Sequence, residues 1–199
     1  MSYIGKAPAN SALTADDITD GIIGADKLAT NSVTTVKVSN ANITSAKLAS
    51  GVLPTNTPAF EAVLSSDQAV SDNTLTKVAF NSEAFDTDNK FTDARFTPTI
   101  AGKYFVYSQV NGFAGGDSDL ITMTLQIRKN GSVTRFSFIE TSNNFGKTHT
   151  LNCSSILTLD SDDYVEIFAS IDGNSNGGEV IQGTTNSASI FGAYKLIGA

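Results

Sequence analysis

The sequence predicts an all-β protein in two parts, an N-terminal repeat that forms a stem and a C-terminal closed sandwich or jelly roll. An aliphatic residue occupies every fifth position from Leu13 to Leu53. From Ala59 onward, short alternating segments are separated by Gly, Asn, Asp and Ser turns, and no amphipathic helix exceeds two turns. Eight to ten such strands imply a closed sandwich or jelly roll.

The repeat keeps its aliphatic residues in strict register over nine consecutive positions. Neither a helix nor a straight strand places every fifth side chain on one side, so the chain must bend once per repeat. A second period of ten overlies the first at Lys27, Lys37 and Lys47. The aliphatic positions are Leu13, Ile18, Ile23, Leu28, Val33, Val38, Ile43, Leu48 and Leu53.

A repeat of this length needs partners, because repeat units bury their apolar faces only against neighbours. Threefold winding gives each aliphatic residue two symmetry mates, so residues 13–53 are predicted to form a pentad-repeat trimeric β stem. A flexible Ser/Thr/Ala-rich linker and a monomeric pentapeptide solenoid are the alternatives.

The roles of the remaining segments are predicted from their position and composition. Residues 1–12 precede the first repeat and suit an attachment peptide. Residues 54–57, in the Pro-rich stretch before Pro58, form a hinge. The head domain then spans residues 58–199.

Alternation within the head defines individual strands. One strand alternates Ile121, Met123, Leu125 and Ile127 with polar residues. Asn130-Gly131 predicts a two-residue hairpin turn leading into Val133–Ile139. Further strands are predicted at Thr148–Leu159, Tyr164–Ile171 and Ser187–Ile197.

Charge argues against two classes of partner. The formal net charge is −7 and no Lys/Arg cluster is present, so neither nucleic acid nor an anionic membrane surface is expected to bind. No stretch suits membrane insertion, and the N-terminus lacks a signal-peptide pattern, so we expect synthesis in a cytoplasm without standard export.

Cys153 lies in an alternating run and is predicted to be a small buried residue.

Catalysis is not expected. His149, the single histidine, lies in a predicted strand and lacks the setting of a triad. The chain also lacks the paired acids and length of a polysaccharide-degrading spike. No cofactor is predicted; calcium at Asp117 and Asp119 is the open alternative to ordinary Asp/Ser turns.

The spacing of aromatic residues in the head resembles a known family. Phe80, Asp86, Phe91, Phe96, Gly102 and Tyr104 follow a pattern similar to the signature of the globular head of complement's first-component q subunit. Gly102–Val110 resembles a central strand of the tumour necrosis factor family. The pattern departs where four residues separate Phe91 from Phe96 instead of six, and where Val106 and Ser108 replace aromatics.

This resemblance implies a ten-stranded jelly roll that forms a tight trimer. By the same resemblance, Tyr107 with Phe105 on the same face should lie at the threefold interface, while Tyr104 and Val106 face the sandwich interior. The opening residues 1–6 and the Ile-Thr-type pentads resemble short fibre proteins of marine bacteriophages, especially those that infect cyanobacteria.

The combined expectation is a homotrimeric virion fibre. Residues 1–12 would bind other virion proteins, and the head would bind a host surface glycan or protein. A purely structural virion part, such as a capsid decoration or tail adaptor, is the alternative, and a secreted lectin-like trimer is a third class.

Recognition is expected in polar loops on the rigid head, at 112–119, 142–147 and 173–183. An exposed aromatic beside amide side chains suits sugar stacking and hydrogen bonding. The simpler alternative is that the phenylalanines tuck under their loops. The candidate residues are Phe113, Asp117, Asp119, Asn143, Asn144, Phe145, Asn174 and Asn176.

Overall fold

The computed structural model describes residues 14, 16, 18–39, 42–49, 55–115, 120–141, 146–174, 178–183 and 189–197. The chain divides into two compact units, Met1–Leu53 and Pro54–Ala199. Within the described residues, no helix has the length and apolar character needed to cross a bilayer.

The first unit turns once in every five residues. Backbone N–H groups of Ile22, Lys27, Ser32, Lys37, Asn42 and Lys47 each donate to the carbonyl three residues earlier, at 2.9–3.2 Å. Alternate turns are short 3-10 helices, at Ala25–Lys27, Thr35–Lys37 and Ser45–Lys47. The expected bend per pentad is therefore visible in this single chain.

Two features of the first unit differ from the predicted β stem. The described residues 14–49 contain 3-10 turns and no strand. The structural repeat is also ten residues long, because Lys37 and Lys47 each donate from their ammonium groups to a carbonyl five residues earlier, at 2.6 and 2.9 Å. The ten-residue period of the lysines coincides with the 3-10 helices, each of which ends at a lysine, and trimerisation of the stem remains a prediction.

The second unit is an all-β sandwich of two antiparallel sheets. Sheet 1 has the order β2-β12-β7-β13-β1-β4, with β10 also paired to β7, and sheet 2 has the order β5-β6-β11-β8-β9, with β3 paired to β11. The strands are β1 Ala59–Val63, β2 Gln68–Ala69, β3 Thr76–Lys77, β4 Ser82–Asp86, β5 Phe91–Thr92, β6 Arg95–Phe96, β7 Gly102–Phe113, β8 Leu120–Lys129, β9 Ser132–Glu140, β10 Thr148–Leu159, β11 Val165–Gly173, β12 Val180–Gln182 and β13 Ile190–Lys195.

The strand count exceeds the ten expected, because thirteen strands lie in the described residues. Several of the additional ones, such as β5 and β6, have only two residues. Strand β12 lies inside the segment 173–183 predicted as a loop, and β7 extends through Phe113.

The spaced aromatic residues form the centre of the core. Phe60 stacks on Phe91 and Phe96 at 4.7 and 4.6 Å and meets the edge of Phe191 at 4.9 Å. Tyr104 contacts Phe96 at 5.7 Å. The four-residue spacing between Phe91 and Phe96 is a tight hairpin, in which Asp93 and Ala94 take positive φ values of 53° and 52°.

The hairpin at Asn130-Gly131 is confirmed, with β8 paired to β9 and positive φ at both turn residues. Alternation in β8 holds for Met123, Leu125 and Ile127, which are fully buried. It is wrong for Ile121, because a bulge opposite Asp172/Gly173 makes Ile121 the extra residue and turns Leu120 into the core. Cys153 is buried, as expected, and burial raises the pKa of its thiol.

Candidate functional site

The outward face of sheet 1 is set by alternation along β7. Tyr104, Val106 and Ser108 point inward and are almost fully buried. Phe105 and Tyr107 therefore point outward, where both are half-buried. Their proposed place in an interface between copies remains a prediction.

Tyr107 crosses the neighbouring strand to reach a carboxylate. In the sheet register Tyr107 pairs with Gly192 of β13, which in turn pairs with Glu61 of β1. The hydroxyl of Tyr107 donates to Glu61 Oε2 at 2.7 Å. A Cβ atom at Gly192 would overlap the Tyr107 ring, so only glycine leaves room for this path. Burial, and then the hydrogen bond to Glu61, raise the pKa of Tyr107 well above 10.0.

Aromatic and aliphatic side chains surround this pair. The Phe105 ring lies 5.9 Å from Tyr107 and 5.5 Å from Tyr194. Ile156 of β10 pairs with Phe105 and is 60% exposed, and Phe85 of β4 pairs with Glu61 and is 48% exposed. We call this surface the Tyr107 face.

A depression of about 350 Å³ lies on the Tyr107 face. Gln109, Asn152 and Ile190 line it together with the two β7 aromatics. The face thus combines aromatic rings and amide groups, as the interiors of protein–protein interfaces do, with one half-buried, hydrogen-bonded carboxylate.

The segments predicted for recognition begin and end at one end of the sandwich. Phe113, at the end of β7, pairs with Thr148 and with Val180, while Gly173 pairs with Leu120. Two backbone hydrogen bonds connect the ends of two of these segments. The Ala114 N–H donates to the Lys147 carbonyl at 2.8 Å, and the Leu120 N–H donates to the Gly146 carbonyl at 3.0 Å. The strand ends that flank all three candidate loops are therefore neighbours.

The individual recognition candidates are only partly described. Phe113 is half-buried in β7 rather than placed in a loop, and Asn174 is exposed directly after β11. Six candidates lie outside the described residues, namely Asp117, Asp119, Asn143, Asn144, Phe145 and Asn176. The calcium hypothesis at Asp117 and Asp119 therefore stays a prediction.

Acidic side chains do collect near this end. Asp72 Oδ1 accepts from the Gly173 N–H at 3.0 Å, and the Thr122 hydroxyl donates to Asp172 at 3.4 Å. Burial, with the nearby charges of Asp72 and Glu179, raises the pKa of Asp172. In the part of the chain that the structure describes, no group of three or more His, Cys, Asp or Glu residues is arranged to hold a metal ion.

The outward face of sheet 2 was not predicted as a site. It carries Phe136 and Phe138 of β9, which are 62% and 51% exposed. On the same face, Glu166 of β11 is buried and pairs with Lys77 at 2.7 Å and Arg95 at 2.9 Å. Burial alone would raise the pKa of Glu166, but the two cations outweigh it and hold the pKa below 4.5. Alternation in β9 was visible in the sequence, but not which side faces water.

Comparison with solved structures found several domains that are similar to this chain. The globular domain of the zebrafish complement 1qA protein aligns at 18% identity and a TM-score of 0.45, over 70% of this chain and 97% of that chain. Murine APRIL aligns at 13% identity and a TM-score of 0.52, over 69% and 98%. Eiger TNF from S. frugiperda aligns at 13% identity and 0.50, over 71% and 93%.

No protein-family profile and no curated protein matches the chain. The likeness to the APRIL and Eiger structures shows the fold of the head, an all-β jelly roll of two antiparallel sheets.

Proposed function

We propose that the chain is a homotrimeric bacteriophage virion fibre, with a virion-attaching segment at residues 1–12, a threefold stem and a head that binds the host surface. The observation that carries this proposal is the exposure of the repeated aliphatic side chains in a single chain. Ile23, Val33 and Ile43, spaced ten residues apart, are each more than half exposed. Regularly spaced apolar side chains are removed from water most completely when they pack against the equivalent side chains of other copies.

The head offers a second surface of the same kind. The Tyr107 face presents exposed Ile156 and Phe85 around the Tyr107–Glu61 hydrogen bond. Three copies packed through this face would bury its apolar rings. Both units thus support self-association without requiring any other partner.

Recognition is assigned to the loop end of the sandwich, where the strands that flank the three candidate loops meet. Loops on a rigid scaffold can change chemistry without disturbing the core. Because a trimer displays three equal sites, several weak contacts can form at once, and the overall avidity exceeds the affinity of a single site.

Competition for adsorption tests this function. Excess purified protein should slow adsorption of the phage that carries it, and Asn144→Ala with Phe145→Ala should weaken that competition. Images of virions with a labelled head should show the head pointing outward. A saturating excess without effect on adsorption would favour the alternative of a purely structural virion part. A pull-down of virion proteins with residues 1–57 should identify the attachment partner.

A further inference from the structure

The outward face of sheet 2 contains a continuous aromatic and amide row. In the register, Phe168 of β11 pairs with Gln126 of β8, and Gln126 pairs with Phe136 of the edge strand β9. Phe138, paired with Thr124, lies two residues further along the same side. We call this surface the Phe136 face. Two neighbouring phenylalanines that are each more than half exposed on an edge strand form an apolar platform in contact with water.

Cations border this platform. The Arg128 guanidinium lies 4.5 Å from the centre of the Phe168 ring, and its Nε donates to Gln126 Oε1 at 2.9 Å. Among the described residues, no carboxylate forms an ion pair with Arg128. Two further cations, Lys77 and Arg95, share the single carboxylate of Glu166.

The local charge is therefore opposite to that of the whole chain. Three cations and one carboxylate lie in this part of the face, whereas the chain carries a formal charge of −7. Glu140 and Asp172 both pair with Thr122, six residues along β8 from Arg128. At the rise of an antiparallel strand that separation is about 20 Å. The carboxylate opposite Arg128 in the register is that of Glu166, which already pairs with Lys77 and Arg95, so an excess of two positive charges remains around Arg128.

We propose that the Phe136 face binds an anionic polysaccharide. The C–H faces of pyranose rings would pack on Phe136 and Phe138, in the way that apolar faces of ligands pack on aromatic rings. The N–H groups of Arg128 other than the one bound to Gln126 would bind a carboxylate or sulfate, a charge-assisted contact stronger than a neutral hydrogen bond. Gln126 and Thr124 supply amide and hydroxyl groups for sugar hydroxyls between the rings.

Charge complementarity selects this ligand over other occupants. A neutral glycan would bring no anionic group to Arg128, and nucleic acid needs a more extended set of cations than this face provides. The proposal rests on the proposed host-binding role of the head, and it adds a site on the sheet to the recognition assigned to the loop end.

The test measures binding of the full-length protein to polygalacturonate, to dextran sulfate and to uncharged dextran by biolayer interferometry. We expect binding to one or both charged polymers and none to dextran. Arg128→Gln, and separately Phe136→Ser with Phe138→Ser, should each weaken binding by about tenfold or more. The matched controls are Lys103→Gln, an exposed cation outside sheet 2, and Ile100→Ser, an exposed aliphatic residue in a loop. Both should change affinity by less than about twofold.

Several results would overturn the proposal. One is an equal loss of binding with Lys103→Gln, which would show non-specific attraction of a polyanion. Another is full binding by either Phe136 face variant, with circular dichroism showing a native fold. A third is dissociation of the oligomer by Phe136→Ser with Phe138→Ser, which would make the face an interface between copies.

The failure of this site and of the proposed function are distinguishable. If the protein is trimeric and slows adsorption but binds neither charged polymer, the proposed site is wrong and the fibre function stands. If the protein binds a charged polymer through Arg128 but does not slow adsorption, the proposed site stands and the host-attachment role is wrong.

Discussion

The hydroxyl of Tyr107 donates a hydrogen bond to Glu61 Oε2 at 2.7 Å, and its ring crosses the backbone of Gly192 to do so. Three strands of sheet 1 are thereby connected on their outward side by one side chain. A hydrogen bond to a charged acceptor is among the stronger ones in proteins, at about 1.5–3 kcal/mol. The same bond keeps a carboxylate and an aromatic ring in fixed positions on the Tyr107 face.

Gly192→Ala should destabilise the head by about 1–3 kcal/mol, because the added methyl group would overlap the Tyr107 ring and force it to move. Denaturant unfolding measures the change. If the ring is the cause, the same substitution in a Tyr107→Ala background should cost much less, which a double-mutant cycle quantifies. An equal cost in both backgrounds would show that the backbone at Gly192, and not the ring, is responsible.

Tyr104 should keep its proton to unusually high pH. Burial, and then the negative charge of Asp88, raise its pKa from 10.0 to about 12, and its hydroxyl donates to Ile100 O at 2.6 Å. Because the folded-state pKa is raised, the stability that Tyr104 contributes is complete below about pH 10 and is lost as pH rises towards 12. Absorbance titration of tyrosinate should show two late-ionising groups, Tyr104 and Tyr107, of which Tyr104→Phe removes one. An unchanged amplitude of the late ionisation in Tyr104→Phe would contradict the assignment.

Asp163 should make the head sensitive to acid. Its carboxylate accepts from the Asp160 N–H, from the Asn130 side chain and from Lys129, at 2.6–2.7 Å, and these contacts lower its pKa from 3.8 to about 2. The stabilisation is therefore present above about pH 4 and is lost as pH falls towards 2. Asp163→Asn should cost about 1–2 kcal/mol at pH 7 and flatten the pH dependence of unfolding between pH 4 and 2.

The matched control is Asp162→Asn, one residue away and exposed, with no ion pair among the described residues. It removes the same charge without the three contacts, so it should leave unfolding nearly unchanged. A loss of stability as large as that of Asp163→Asn would assign the effect to net charge.

Tyr107→Glu tests the proposed role of the Tyr107 face. In residues 58–199 expressed alone, a second carboxylate beside Glu61 should oppose packing of the face against another copy, since buried like charges are costly. We expect sedimentation to show folded monomers in place of trimers. Wild-type residues 58–199 that are already monomeric would contradict a head interface, and loss of all β structure in the variant would mean that Tyr107 serves only the fold.

The sequence predicted those parts of the head in which local spacing carries the information. Tyr104 and Val106 lie in the core as the resemblance implied, and Asn130-Gly131 forms its hairpin because both residues tolerate positive φ. Strands of two residues such as β5 are too short to show alternation. The bulge at Ile121 depends on the partner strand β11, which the sequence of β8 does not reveal.

The sites were harder to predict because their residues are distant in sequence. Glu61 and Tyr107 are 46 positions apart, and nothing in either local sequence indicates the partner. Phe136 and Phe138 alternate like core residues, and only their exposed fractions show that they face water. In the first unit, the spacing of aliphatic residues indicated the bends, and the ten-residue spacing of the lysines marks the ends of the 3-10 helices, but neither spacing indicated 3-10 geometry in place of strands.

The stem offers the sharpest test of the trimer, because it contains an internal control. Ile23 belongs to the five-residue register and Val36 does not, although both are exposed apolar residues in the single chain, at 53% and 90%. In a threefold stem, Ile23→Asp would place three carboxylates in one apolar layer, at a cost of several kcal/mol per uncompensated charge. Val36→Asp would keep its charge in water and cost little. Light scattering of the full chain at micromolar concentration should therefore show a trimer for wild type and Val36→Asp, and dissociation or a large fall in thermal stability for Ile23→Asp. Equal behaviour of the two variants would mean that the register does not face the axis, and a monomeric wild type would end the fibre proposal.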